Sequence, residues 1–524
     1  MKKLPLGIQT FAKLIDQNCV YIDKTREIYN LIEKGSYYFL SRPRRFGKSL
    51  LVSTLKELFS GRKELFKDLW ICKEKNNFAW AKHPVLHFDF STISRTTPEI
   101  LSAGLAWTMD RLGNDFDIDV KNAPAPSAKL KALVEELAKK YGPGSVVILV
   151  DEYDKPILDH LHNKELADKQ RAILSDFYDA FKGLDQHIKF LFLTGVSKFS
   201  KTSIFSGLNN LYDISNSPIA ATLVGYTQQE LELSFVPHIK QIAQTQKKST
   251  DTVLKNIKEW YNGYRFSSKN EHVYNPYSVL FYLDEKELKS YWFETGTPTF
   301  LLHFLRDKYT AIENMINSKV NVSSLGSFTI DNIPLTTLLF QTGYLTIKAF
   351  NINTRHYRLG LPNKEVTIAF EQQLLATLAY THVSEVENVI ANMRSHLNNN
   401  KLDLFFEDLK TLLANIPYHL HIKQEKYYHS IFQFMCSMLG LDVQSEVATD
   451  KGRIDVAIVT KKYIHVLEFK FNASPEIALE QIEKKKYYQK YRTKNKSIIL
   501  VGVSFNRTKD DLDIQYVSKK LNAE

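Results

Sequence analysis

The sequence predicts a multidomain α/β protein, and three observations predict it. Residues 1 to about 232 alternate strand-like and helix-like segments, the pattern of a parallel sheet with helices on its faces. From about 420 onward the order changes to α, β, β, β, α, β. The length of 524 residues exceeds one hydrophobic core and, at about 150 residues per domain, suggests three parts, 1–232, 233–378 and 379–524.

With 44% hydrophobic and 24% charged residues, the composition is that of a globular protein and excludes a fibrous or disordered one. Lys and Arg outnumber Asp and Glu by 69 to 58, a net charge of +11 that favours polyanions such as nucleic acid. Spread over this length, the same surplus also suits a protein that touches none. Cys19, Cys72 and Cys436 lie far apart, so they build neither a disulfide framework nor a thiolate zinc site and fit a reducing compartment. The opening MKKLPLGIQTFAKL lacks the apolar core of a signal peptide, and no run approaches the ~18 apolar residues of a membrane helix. A cytoplasmic location with no membrane association is expected.

Strands are read at SYYFL, VLHFDFS, SVVILV and KFLFLTGVS, with helices at SLLVSTLKELFSG and near 98–141. SVVILV is uniformly apolar, as a strand covered on both faces requires. Residues 228–320 are helical and aromatic, with no evident chemistry. In TTLLFQTGYLTIKAFNINTRHYRLGLPNKEVTIAFEQQLL a helix runs into two strands joined by the turn-forming NINT, then into another helix, which predicts a winged-helix-like module. A polar helical connector near 380–412 leads to the helix KYYHSIFQFMCSMLG and the strands DVQSEVA, RIDVAIVT and YIHVLEFKF. The helix SPEIALEQIEKKKYYQKY follows, with Ser474 at the cap and Pro475 in the first turn, and then the strand SIILVGVSF.

SRPRRFGKSLL follows one strand and opens a helix, where a phosphate-binding loop belongs. Arg45, Phe46 and Gly47 would approach the phosphates, Lys48 supplies the cation for them, and Ser49 supplies a hydroxyl for Mg²⁺. The full pattern has a further glycine at position 42, where this chain carries Arg42. VVILVDEYD is an apolar strand ending in Asp151, suited to the nucleotide's Mg²⁺, and Glu152, suited to activating the attacking water. Thr194 and Ser197, ending KFLFLTGVS, either reach the γ-phosphate or cap the next turn. Arg44 and Arg45 either touch phosphates or form a solvated basic loop.

The combination of YIDKT, FLSRPRRFGKSLL, HFDFS, VDEYDKPI, LTGVSKFS and SIFSGLNNLYDIS resembles the AAA-ATPase-like family. These are mostly bacterial proteins that commonly carry a restriction-endonuclease-like domain at the C-terminus. The resemblance covers nearly the whole chain, and the family's own pattern is RPRRFGKS, so Arg42 is a family feature. It implies a P-loop NTPase fold that binds ATP and leaves ATP turnover open.

In GRIDVAIVTKKYIHVLEFKF, Glu468 and Lys470 lie two apart near the end of one strand and so share a face. A turn near TKK pairs the strands antiparallel, bringing Asp455 toward Glu468 with the Phe469 carbonyl between them as a further ligand. Val456, Ile458, Val466 and Phe469 suit the core. Paired carboxylates and a cation are what a metal-dependent phosphodiesterase gathers; the same spacing also fits an amphipathic hairpin with a surface salt bridge. A helix bearing Glu425 precedes the strands and one bearing Gln481 follows. Between Lys484 and Lys496 lie seven basic residues and no acidic one, interleaved with Tyr487, Tyr488 and Tyr491. That composition pairs with phosphates and stacks on bases, or else its tyrosines pack inward.

This αβββαβ arrangement resembles the PD-(D/E)XK nuclease superfamily, with GRID in place of the PD half and EFK as the (D/E)XK half. The resemblance implies that Asp455 and Glu468 hold Mg²⁺ or Mn²⁺ and that Lys470 positions water and phosphate. Glu425, Gln481 and Tyr487 are accessory candidates, and Glu446 a weaker one. The expected function is ATP-regulated cleavage of DNA; the alternative is a nucleotide-dependent switch that binds nucleic acid or a protein partner without cleavage. A homo-oligomer is compatible with either.

Overall fold

The structure is a computed structural model that describes residues 1–73, 78–199, 204–205, 208–296, 318–378, 382–414, 432, 435, 439, 441–449, 452–494, 496–507 and 512–521. The described chain forms two compact units, one of residues 1–296 and 318–366, the other from residue 367 onward. The described residues 233–296 and 318–366 therefore group with the N-terminal sheet rather than apart from it.

The first unit is built on a parallel sheet of β1 (Tyr37–Ser41), β2 (Val85–Asp89), β3 (Val146–Asp151), β4 (Ile188–Gly195) and β5 (Tyr212–Asp213), in the order β2-β3-β4-β1-β5. β3 is buried at every position, as its unbroken apolar run requires. The two-residue β5 has no run long enough to read from sequence. The stretch near 98–141 is two helices, Pro98–Asp115 and Pro126–Tyr141, each opened by proline in its first turn. Thr97 caps the first of them by accepting from the Ile100 N–H at 3.3 Å.

Downstream, helix Leu335–Thr342 leads to β7 (Thr346–Asn351), β8 (His356–Gly360) and helix Lys364–Leu378, the order read there. An earlier strand, β6 (Lys319–Asn321), completes an antiparallel sheet in the order β6-β8-β7.

The second unit holds a mixed sheet of β9 (Asp442–Thr449), β10 (Gly452–Val459), β11 (Tyr463–Phe471), β12 (Ser497–Arg507) and β13 (Leu512–Leu521), in the order β13-β12-β11-β10-β9. Only β11 and β12 run parallel, joined by the crossover helix Pro475–Lys485 and a 3₁₀ segment, Tyr487–Lys494. β13 is one strand more than the sequence order predicts; its text, LDIQYVSKKL, is polar because it lies at the sheet edge. Both sheet faces are covered. Val456, Ile458, Leu467 and Phe469 join a core with helices Val383–Asn398 and Leu402–Ala414, while Ala457, Val459, Ile464 and Val466 meet Ile482, Tyr487 and Tyr491. Val466 thus faces away from Val456, Ile458 and Phe469. Among the described residues no helix is long and apolar enough to cross a membrane.

His465 of β11 is fully buried, with Nε2 3.1 Å from Asn400 Oδ1, and burial lowers its pKa from 6.5 to about 4. The unfolded chain then binds the proton more readily, so stability present above pH 6.5 is lost as pH falls toward 4, by on the order of 3 kcal/mol. Urea unfolding of the second unit should show this loss between pH 7 and 4.5, and His465→Gln should flatten it.

Candidate functional site

β1 ends at Ser41, next to the end of β4, and the chain turns through residues 42–47 into helix Lys48–Phe59. The left-handed positions in this loop are Arg45 (φ 68°) and Gly47 (φ 92°). Gly47 adopts that angle without steric cost, whereas Arg45 is held there by its surroundings. Lys48 is buried, its Nζ 3.1 Å from the carbonyl oxygens of both Arg42 and Pro43.

Arg42 shows what replaces the missing glycine. Its side chain is 2% exposed and donates to the carbonyls of Ser41 (2.9 Å), Ser215 (2.6 Å) and Ala220 (2.8 Å), while its guanidinium lies 4.3 Å from the Phe266 ring centroid. Burial lowers its pKa, against the charge of Asp213. Phe46 is also a core residue, edge-on to Tyr264 and Phe266 at 4.8 and 5.4 Å. Its ring therefore anchors the loop rather than meeting a ligand. Arg45 instead lies along a cleft, its guanidinium 4.9 Å from the Tyr277 ring. Asn275 sets Tyr277 there by capping helix Pro276–Glu285.

The cleft, about 410 Å³, is lined at its polar end by Arg44, Arg45, Gly47, Lys48, Ser49, Asp89, Glu152 and Lys155, and at its apolar end by Leu6, Ile8, Tyr277 and Phe281. Burial raises the Asp151 carboxyl to about 6, against a hydrogen bond from Ser49 and the charge of Lys48. Glu152 adopts φ 54°, and its N–H donates to Asp151 Oδ1 at 3.0 Å. A non-glycine residue in that region stores about 1–3 kcal/mol of strain. Thr194 and Ser197 are fully buried, their hydroxyls have no partner among the described residues, and neither lines the cleft. Asp89, level with Asp151 on the neighbouring strand, was missed, although HFDFS carried the signal of an acid ending an apolar strand. Tyr277 and Phe281 carried none, since only folding brings their helix to the loop.

In the second unit the ladder between β10 and β11 ends with Val456 opposite Leu467, and Asp455 and Glu468 are the next residues along. Asp455 Oδ2 accepts the N–H of Phe469 at 2.9 Å. Phe469 thus meets Asp455 through its amide, not through the carbonyl anticipated as a ligand. Glu468 is 2% exposed, accepts from Gln481 Nε2, and lies 3.7 Å from Lys470 Nζ. The bland alternative, an open hairpin face, does not match: helix Pro475–Lys485 covers this face. Gly502, paired with Glu468, permits it, because a Cβ there would lie 2.2 Å from Pro475 O and 2.6 Å from Leu479 N. Ser474 occupies the cap position without a side-chain hydrogen bond to the helix backbone.

Glu425 lies outside the described residues, as does the Glu446 side chain. Tyr487 is 4% exposed and Tyr491 fully buried, its hydroxyl donating to Gln444 Oε1 at 3.1 Å, so these tyrosines pack inward and do not offer their rings to bases. Lys484, Lys485, Lys486, Lys490 and Arg492 remain exposed. Among the described residues no three His, Cys, Asp or Glu gather as a metal cage.

Comparison with known proteins follows the same two sites. Residues 5–205 match the predicted AAA-ATPase family and residues 423–513 the PD-(D/E)XK nuclease superfamily. The chain is also 37% identical, over 522 residues spanning 97% of each protein, to the uncharacterized protein in the vnfD 5′ region of Azotobacter chroococcum mcd 1. It belongs to the AAA-ATPase-like family. No solved structure matches it. In this AAA-ATPase-like protein the family's RPRRFGKS motif divides its labour: Arg42 and Phe46 hold the loop, and Arg45, Gly47, Lys48 and Ser49 face the cleft.

The close approach at Gly502 is testable. Gly502→Ala should lower the unfolding free energy of the second unit by about 1–3 kcal/mol through displacement of helix Pro475–Lys485, measured by urea denaturation.

Proposed function

We propose that this protein is an ATP-regulated nuclease that cleaves DNA phosphodiester bonds in its second unit. The observation that carries the reading is the buried Glu468, held by Gln481 and flanked by Lys470, with Asp455 at the next step of the ladder. A carboxylate removed from water is costly unless a cation or hydrogen-bond donors compensate it. Asp455 and Glu468 form an all-oxygen donor pair of the kind that Mg²⁺ and Mn²⁺ favour. When bound, such an ion supplies Lewis acidity toward the phosphate and lowers the pKa of water.

The remaining work falls to the chain's own groups. Gln481 fixes the rotamer of Glu468, and the Phe469 N–H fixes that of Asp455. Lys470, partly exposed on the same face, meets the negative charge of the scissile phosphate. The exposed lysines in and after the last turn of the crossover helix, with Arg492, contact the nucleic-acid backbone through charge, so binding should weaken with salt. In the first unit, Lys48 would take the nucleotide's phosphates and Ser49 and Asp151 would hold its Mg²⁺, with Glu152 placed to orient water.

A second reading, a nucleotide-dependent switch without cleavage, is favoured by the burial of Thr194 and Ser197 away from the cleft. The full chain should be assayed on single- and double-stranded DNA and RNA with Mg²⁺ or Mn²⁺, with and without ATP. Wild type should cut DNA, Asp455→Ala and Glu468→Gln should lower the rate by at least about 100-fold, and Lys48→Ala should remove the response to ATP. Undiminished cutting by Asp455→Ala would sink the assignment. ATP-dependent DNA binding by a wild type that never cuts would establish the switch.

A further inference from the structure

Among the buried residues of the motifs VDEYDKPI and LTGVSKFS that cleft chemistry does not use are Tyr153, Asp154 and Lys198. All three act on one loop, residues 196–199. Asp154 Oδ2 accepts the N–H groups of Val196 (3.0 Å) and Ser197 (2.6 Å). The Tyr153 hydroxyl donates to Ser197 O (2.9 Å) and accepts from the Phe199 N–H (3.2 Å). The approach is so close that a Cβ on Gly195 would come within 2.4 Å of Asp154 Oδ1. The segment that carries Glu152 and the loop after β4 are therefore bonded to each other at four points.

The same loop is fixed to the start of the phosphate loop. Ser41 Oγ donates to Val196 O, and Lys198 Nζ lies 3.0 Å from Asp213 Oδ2. Asp213 Oδ1 accepts the Ser215 N–H (2.9 Å), and Ser215 in turn accepts the Ser41 N–H (2.8 Å) on its hydroxyl and Arg42 (2.6 Å) on its carbonyl.

On its far side the loop is strapped to the downstream module. The Lys198 N–H donates to Gln341 Oε1 (2.8 Å), and Gln341 Nε2 donates to Gly326 O (2.8 Å). The Phe328 N–H donates to Lys198 O (3.0 Å), and the Phe199 and Phe328 rings meet edge-on at 5.2 Å. Gln341 is buried in helix Leu335–Thr342, which runs directly into β7. The residue after that helix, Gly343, rests on the phosphate loop, for a Cβ there would lie 2.8 Å from Pro43 Cβ.

We infer that Gln341 is a positioning residue that couples the nucleotide cleft to the module of β6, β7 and β8 by holding loop 196–199. The inference rests on the reading of the cleft as a nucleotide site. The backbone groups of the loop from the Val196 N–H to the Phe199 N–H are held by Asp154, Tyr153, Ser41, Gln341 and Phe328, so a shift of Glu152 on nucleotide binding is carried into bonds on both sides of the loop. It passes along Tyr153 and Asp154 to the loop, and through Gln341 to helix Leu335–Thr342.

Hydrogen exchange of the full chain with and without ATP and Mg²⁺ tests this. Wild type should gain protection, at least about 5-fold, both in residues 42–49 and in residues 326–342. Gln341→Leu, which keeps size and removes both hydrogen bonds, should retain the first response and lose half or more of the second. Gln341→Glu keeps the acceptor for the Lys198 N–H but loses the donor to Gly326 O, so it should retain only part of the second response, more than the leucine form; if the leucine form fails to fold, this partial loss is the test. Protection of 42–49 without any change in 326–342, or an unchanged response in Gln341→Leu, overturns the inference while leaving the nucleotide site intact. No protection anywhere in wild type overturns both.

Discussion

A guanidinium buried at the mouth of a phosphate-binding loop has to be surrounded before the loop can take any shape. Arg42 meets this demand with three carbonyls and an aromatic face, supplied by β1, by residues 215–220 and by Phe266. Its partners come from the adjoining end of β1 and from two distant stretches, so the anchoring of the loop depends on residues 215–220 and on Phe266. Phe266 lies in the described stretch 233–296, which falls in the same unit as the parallel sheet. Phe46 repeats the arrangement in apolar form, packing on Tyr264 and Phe266. With the loop anchored from behind, the neighbouring Arg45, Lys48 and Ser49 are left for the cleft.

The second unit solves a related problem with opposite charge. Glu468 is as buried as Arg42, and its neighbours are an amide from the crossover helix and a lysine two residues away. Neutral dipoles and one nearby cation hold a carboxylate in place without burying a full counter-charge beside it. Gly502 matters because it decides whether the amide can reach. A site that reads as three residues on two strands depends equally on a glycine of the third strand and a glutamine of the helix.

What could be read beforehand follows from range. β1 to β4, the GKS turn, the acidic end of β3 and the D…ExK spacing are written in consecutive or period-two residues, so local pattern sufficed. The apolar wall of the cleft, the destination of Arg42 and the partners of Tyr153 and Asp154 are set by segments 40 to 250 residues apart. No local pattern encodes them. Tyr487 illustrates the intermediate case: a tyrosine among lysines reads equally as a base-stacking platform and as an inward anchor, and only the turn of the chain after Lys485 points it into the core. β13 escaped for the reverse reason, since an edge strand lets solvent-facing lysines replace the apolar residues by which strands are recognised.

The bond from the Phe469 amide to Asp455 has a consequence beyond holding a carboxylate. A strand slipped by one residue would turn every side chain to the opposite face, yet β10 and β11 are apolar enough on both faces that hydrophobicity alone barely distinguishes the two alignments. In a one-residue slip Asp455 turns to the opposite face and loses that amide. The residue expected to bind metal thus also contributes a bond that belongs to the observed pairing of the strands that carry it.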